Sequence, residues 1–179
     1  MRDTKVINLY GGPGTGKSTL AAKVFAHLKD RKISCELVQE FAKELVWEED
    51  WDSLACQAYV TRVQHSRVKR LYGKVDYIIS DSPISLGLIY GKDLLDAEEE
   101  VIIDRHKEFN NIKVFLTRHK DYDPEGRMQT YEEALECDKK ILNLMSELYP
   151  DEEVKVFSNE ADKSVKFLED VLGLRENSD

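Results

Sequence analysis

Cysteine, proline and long apolar runs are all in short supply in this 179-residue chain, and its 26 lysines and arginines are outnumbered by 35 acidic residues. Its three cysteines, Cys35, Cys56 and Cys137, stand far apart and show no CxxC or Cys/His spacing. That excludes a disulfide scaffold or a zinc ribbon and reads as free thiols in a reducing compartment. No stretch approaches the roughly 20 apolar residues that a membrane helix needs. The first residues run straight into a strand pattern without the apolar core of a signal peptide. A cytoplasmic location without a membrane partner is therefore expected. Four prolines and nine glycines form no linker or repeat, so one domain over 1–179 is expected, long enough to bury about 70% of its unfolded surface. A formal net charge of −9 argues against an extensive nucleic-acid footprint, because neutralising phosphates takes a basic face.

What is present alternates. Short β-rich runs at 6–10, 35–39, 77–80, 113–116 and 154–157 are separated by helical patterns at 17–29, 41–47, 53–71, 95–108, 130–148 and 164–172. The run Tyr77-Ile78-Ile79-Ser80 is continuously apolar up to its end, as a strand covered on both faces must be. Thr130 and Glu133 have the spacing of a capping box, and Pro150 stops the helix that they open. Strands alternating with helices predict βαβ units, hence an α/β fold with a parallel sheet between two helical layers.

Gly11-Gly12-Pro13-Gly14-Thr15-Gly16-Lys17-Ser18 satisfies G-x-x-x-x-G-K-[ST] after the first predicted strand and at the start of the first predicted helix. Glycines let successive N–H groups turn inward on phosphate oxygens, and the helix adds its positive end. Gly12, Pro13, Gly14, Thr15, Gly16, Lys17, Ser18 and Thr19 are the candidate nucleotide-binding residues. Lys17 is expected to reach the β- and γ-phosphates, and Ser18 to ligate Mg²⁺.

In an open parallel sheet, ligands lie beyond the carboxyl ends of the strands. The second predicted strand ends at Gln39-Glu40 and the third at Asp81-Ser82-Pro83. Asp81 fits the metal-positioning acid that closes an apolar strand beside the phosphates. Glu40, one strand over, fits a proton acceptor or a hold on the acceptor's sugar. Either acid could instead cap the helix that follows it, and which of the two is the base stays open. After the fourth strand, 117–130 carries Arg118, His119, Lys120 and Arg127 with one proline and one glycine. This is the composition of a basic lid that stabilises migrating charge and excludes water. The segment 41–72 supplies Phe41, Trp47, Trp51, Tyr59 and Tyr72, on which a ring could stack or which fill the core. Trp47 and Trp51, set among acids, look least like core. Arg62, His65, Arg67, Lys69, Arg70 and Lys74 make a local basic run, either a solvated face or a phosphate contact.

With these residues in view, the chain resembles the small P-loop kinases of the nucleoside and nucleotide kinase superfamily. It is most similar to the phage- and bacteria-associated branch of nicotinamide riboside kinase-like ATPases. The resemblance rests on the phosphate loop, Glu40-Phe41-Ala42-Lys43, Asp81-Ser82-Pro83 and Gly126-Arg127-Met128-Gln129. Lys43 stands where that branch usually has arginine, and Asp81-Ser82-Pro83 departs from the Asp-Arg-Ser of deoxynucleoside kinases. The resemblance implies a three-layer sandwich with strand order 2-3-1-4-5, ATP and Mg²⁺ as cofactors, and a host cytoplasm if the chain is phage-encoded. It also implies catalytic roles among Lys17, Glu40, Asp81, Arg118 and Arg127.

Three functions compete at this point. The first is transfer of the γ-phosphoryl group of ATP to a hydroxyl or phosphate of a small nucleoside-like acceptor. The second is a phage-type kinase acting on a hydroxymethylated pyrimidine or an end in DNA, with the basic run meeting the backbone. The third is a nucleotide-driven switch or motor. No DxxG follows the third strand and no N-K-x-D is present, against a GTPase, and the chain is short for a motor with an added helical domain. A homodimer is compatible with all three.

Overall fold

The computed structural model describes residues 1–91, 94–118, 130–152, 154–158 and 164–174. Five strands, β1 (Lys5–Tyr10), β2 (Cys35–Val38), β3 (Tyr77–Ser80), β4 (Asn110–Thr117) and β5 (Lys155–Ser158), form one sheet in the order β2-β3-β1-β4-β5. All four pairings are parallel. This is the α/β fold and strand order expected.

Alternation along β1 sorts the two faces. Ile7 and Leu9 pack with Leu20, Val24 and Leu28 of α1 (Lys17–Asp30). On the other side, Val6 packs with Val68 of α4 (Gln57–Lys69) and Ile102 of α6 (Asp96–Lys107). Tyr10, on that same face, meets Ile141 and Met145 of α7 (Tyr131–Leu148). The apolar area removed from water on both faces is what holds the three layers together. The last helix, α8 (Ser164–Leu172), joins α1 through Glu169, which accepts from His27 and Arg31.

Between β2 and β3 run α2 (Phe41–Trp47), α3 (Trp51–Ala55) and α4. The apolar spacing predicts one helix over 53–71, and the structure corrects this. The backbone at Cys56 leaves the helical region at φ −84°, ψ 86°, and Asp50 caps α3 by accepting from Ser53 N–H. Apolar spacing carries across a single non-helical residue, so periodicity does not register such a break. The fourth strand is also longer than predicted at 113–116, because its first residues, Asn110 and Asn111, are polar. After β3, a 3-10 turn (Ile84–Leu86) leads into the short α5 (Gly87–Tyr90). The predicted capping box forms at α7: Thr130 Oγ1 accepts from Glu133 N–H at 3.2 Å, and Glu133 accepts from Thr130 N–H at 2.7 Å.

Candidate active site at the carboxyl edge of the sheet

Parallel pairing sends the ends of β1, β2, β3 and β4 to one edge, and each end carries one of the charged groups read from the sequence. The loop after β1 turns through left-handed glycines. Gly16, the N-cap of α1, has φ 88°, a conformation that only glycine adopts without strain. Gly12 is glycine for another reason: a Cβ there would lie 2.6 Å from Asp138 Oδ1 and 2.9 Å from the Ala134 carbonyl. Thr15 Oγ1 donates back to Gly12 O at 3.1 Å, closing the turn. Lys17 Nζ folds over the same turn and donates to Gly11 O at 2.6 Å and Gly12 O at 3.0 Å.

Lys17, Glu40 and Asp81 share one electrostatic environment. Burial pulls the Lys17 ammonium below its ordinary pKa, while Glu40 and Asp81 act to raise it. Burial pushes Glu40 up, with Lys17 opposing and Asp81 adding to the rise. Glu40 occupies the N-cap position of α2, yet its side chain makes no cap hydrogen bond, so it is not spent on capping. Asp81 is buried, and its Oδ1 has no hydrogen-bond partner among the described residues. A buried carboxylate oxygen without a donor is costly to leave so. A hard divalent cation with oxygen ligands would satisfy it. Asp81 and the exposed Ser18 hydroxyl are the residues that could offer Mg²⁺ oxygen ligands.

Arg118, first after β4, is bound rather than free. Its guanidinium donates to Asp138 Oδ2 at 2.7 Å, Pro13 O at 2.6 Å and Ala134 O at 3.1 Å. His119, Lys120 and Arg127 lie outside the described residues, and of the expected lid at 117–130 only Thr117, Arg118 and Thr130 are described.

Several residues of the edge carry no motif. Gln64, 4% exposed, accepts from Phe41 N–H at 3.1 Å and donates to Ser82 O at 3.2 Å. One buried carboxamide thus ties together the two residues that follow Glu40 and Asp81. The sequence holds a faint signal for it, a glutamine on the buried stripe of α4 between Val60 and Val68. Tyr90 OH lies 3.6 Å from Cys137 Sγ, and its pKa is raised by burial first and then by Cys137 and Glu40. Asp138, the partner of Arg118, has no local sequence signal at all.

The segment 41–72 divides as its composition suggests. Phe41 is buried and meets the Tyr59 ring edge-on at 5.5 Å, and Tyr72 packs on Phe109 at 5.0 Å. Trp47 and Trp51 are 80% and 50% exposed. Three members of the basic run, His65, Arg67 and Lys69, are paired with acids. Arg67 makes a two-pronged pair with Glu44 at 2.8 and 2.5 Å while lying over the Phe41 ring. Lys69 and His65 both bind Glu108. Such neutralisation removes much of the support for a DNA backbone contact. The three cysteines carry free thiols, and no described helix is long and apolar enough to cross a membrane.

The AAA domain family model, AAA_28, matches residues 6–155. No curated protein sequence matches the chain. Among solved structures, it is similar to deoxyadenosine kinase from M. mycoides, solved with the products dCMP and a flexible dCDP. The TM-score is 0.61 at 16% identity, over 95% of this chain and 100% of that one. It is also similar to the APS kinase of Mycobacterium tuberculosis in complex with AMPPNP and APS. Here the TM-score is 0.53 at 15% identity, over 97% of this chain and 99% of that one. At such identities the likeness is one of fold, and the fold is that of the P-loop kinases.

Proposed function

We propose that this chain, which belongs to the AAA domain family, is an ATP-dependent phosphotransferase whose acceptor is a hydroxyl group of a small nucleoside-like molecule. The observation that carries this reading is the coupling of Lys17, Glu40 and Asp81 at the edge where β1, β2 and β3 end. A hydrolytic switch needs the phosphate loop and the metal acid. It does not need a second acid, uncapped and pushed toward neutrality, one strand away on the acceptor side. A hydroxyl acceptor needs that acid. A phosphate acceptor, itself anionic, would be repelled by Glu40 and Asp81 together.

In the proposed reaction, Lys17 exchanges the Gly11 and Gly12 carbonyls for phosphate oxygens and follows the charge of the migrating group. The acceptor O–H bond breaks as its oxygen bonds to the γ-phosphorus, Glu40 takes the proton, and the bond to the bridging oxygen opens to release ADP. Mg²⁺, when bound at Ser18 and Asp81, supplies charge neutralisation to the phosphates. Arg118 faces the same charge from the end of β4. Trp47 and Trp51 are exposed and offer ring faces for an acceptor base to stack on. The deoxyadenosine kinase likeness supports the acceptor class and the AMPPNP-bound APS kinase supports ATP as donor.

The test is a panel of ATP and Mg²⁺ with nucleosides, nucleoside monophosphates, nicotinamide riboside, and DNA with and without hydroxymethylpyrimidines. ADP release and labelled product are measured together. Product with a nucleoside or riboside is expected. ADP release without any labelled acceptor would replace this reading with a hydrolytic switch.

A further inference from the structure

The hydrogen bonds around Asp138 concern a residue that no motif marks, in the second turn of α7. Its two carboxylate oxygens are divided. Oδ1 accepts from the backbone N–H of Gly12 at 2.6 Å, and Oδ2 accepts from Arg118 Nε at 2.7 Å. The Arg118 guanidinium continues to Pro13 O at 2.6 Å, inside the phosphate loop, and to Ala134 O at 3.1 Å, one turn before Asp138 on α7. Both members of the ion pair are largely withdrawn from water, with side chains 10% and 15% exposed. The closed circuit therefore runs Gly12, Asp138, Arg118, Pro13, linking the phosphate loop, the end of β4 and α7. The loop backbone approaches α7 so closely that a single Cβ at Gly12 would collide with Asp138, with Ala134 O and with Arg118.

We propose that Asp138 is the positioning residue that holds Arg118 against the phosphate loop and makes α7 part of the nucleotide site. This rests on the phosphotransferase reading above. An arginine serves a migrating phosphoryl group only if its planar fork is already aimed, since its long side chain otherwise samples many rotamers. Asp138 fixes that aim with a charge-assisted bond in a poorly solvated place, where such a bond is strong and its loss is felt. The same carboxylate holds the loop at Gly12, so loop and arginine keep a common register.

A double-mutant cycle tests this, using Asp138→Asn, Arg118→Ala and the pair in the full chain. Two readouts are followed: steady-state turnover of ATP with the acceptor found above, and the backbone amide resonance of Gly12 with and without an ATP analogue. Asp138→Asn is isosteric, and its folding is checked by the thermal midpoint. We expect kcat to fall about tenfold with the KM for ATP changed less than threefold, because aim is lost and the loop remains. Asp138→Asn should cost little further in the Arg118→Ala background, since interacting residues are not additive. The Gly12 amide proton, shifted downfield by its carboxylate partner, should move upfield in Asp138→Asn. Wild-type kcat in Asp138→Asn, fully additive effects, or an unmoved Gly12 resonance would each overturn the proposal. If the wild-type protein transfers no phosphoryl group, the reading of its function fails instead. The Gly12 resonance in the single and double variants then decides alone whether Asp138 binds loop and arginine together.

Discussion

Two clusters of charge sit at opposite edges of the same sheet, and they are built in opposite ways. At the carboxyl edge, burial outweighs pairing: Lys17 is pulled down, Glu40 is pushed up, and an Asp81 oxygen has no partner among the described residues. At the other edge, just before β4, Glu108 accepts from Lys69 at 2.7 Å, Arg105 at 2.6 Å and His65 at 3.3 Å. These partners, led by Lys69, hold its carboxyl down at about 2. The residue types are the same. Where each charge has its partner, the cluster joins α4 to α6 and needs nothing more. Where burial outweighs pairing, the cluster is the candidate functional site.

The largest expected break in this contrast is Lys17→Ala. It should lower phosphoryl transfer by about three orders of magnitude through loss of charge stabilisation, with the thermal midpoint little changed; turnover near wild type would remove Lys17 from the site. Next comes Glu40→Gln, which should retain ATP binding while suppressing transfer. The sign of the pH dependence follows from the shifts. Glu40 acts as base only once ionised, so kcat/KM for the wild type should rise with pH through a pKa above the ordinary 4.5 of glutamate. It should fall again as Lys17 deprotonates below its ordinary 10.5. In Glu40→Gln the acidic limb should vanish; an unchanged limb would assign the base elsewhere.

The smallest effect is expected at the paired cluster. Glu108→Gln should leave transfer intact and cost about 1 kcal/mol of stability or less, because its partners are solvent-facing. Its folded pKa lies below the ordinary 4.5. Its contribution is therefore present above about pH 4.5 and lost as pH falls toward 2. Acid unfolding followed by circular dichroism should show that dependence flattened in the variant. A large loss of transfer in Glu108→Gln would erase the contrast between the two edges.

Beneath the site lies a third arrangement, buried and fully partnered. Tyr10 OH meets Ser85 Oγ at 2.7 Å and His106 Nε2 at 3.3 Å, and His106 also pairs with Tyr149 OH. Burial, with Lys113 nearby, holds His106 down at about 4. The imidazole is therefore neutral near pH 7 and serves as a fixed hydrogen-bonding node. This leaves the floor under the phosphate loop uncharged near pH 7.

The amino-acid sequence by itself determined the architecture and the place of the site. Glycine spacing makes the phosphate loop, apolar runs make the parallel strands, and parallel pairing brings Glu40, Asp81 and Arg118 to one edge. These are local codes, written in neighbouring residues, and they survive without knowledge of what packs on what. The resemblance to P-loop kinases carried the strand order. The break at Cys56 escaped because apolar spacing runs through it. Gln64, Asp138 and the pairing of the basic run with Glu44 and Glu108 were decided only by tertiary structure. Each depends on a partner far along the chain: Gln64 on Phe41 and Ser82, Asp138 on Gly12 and Arg118, Lys69 on Glu108. A hydrogen bond or an ion pair exists only when two distant segments arrive at a distance of about 3 Å, and no local pattern encodes that arrival.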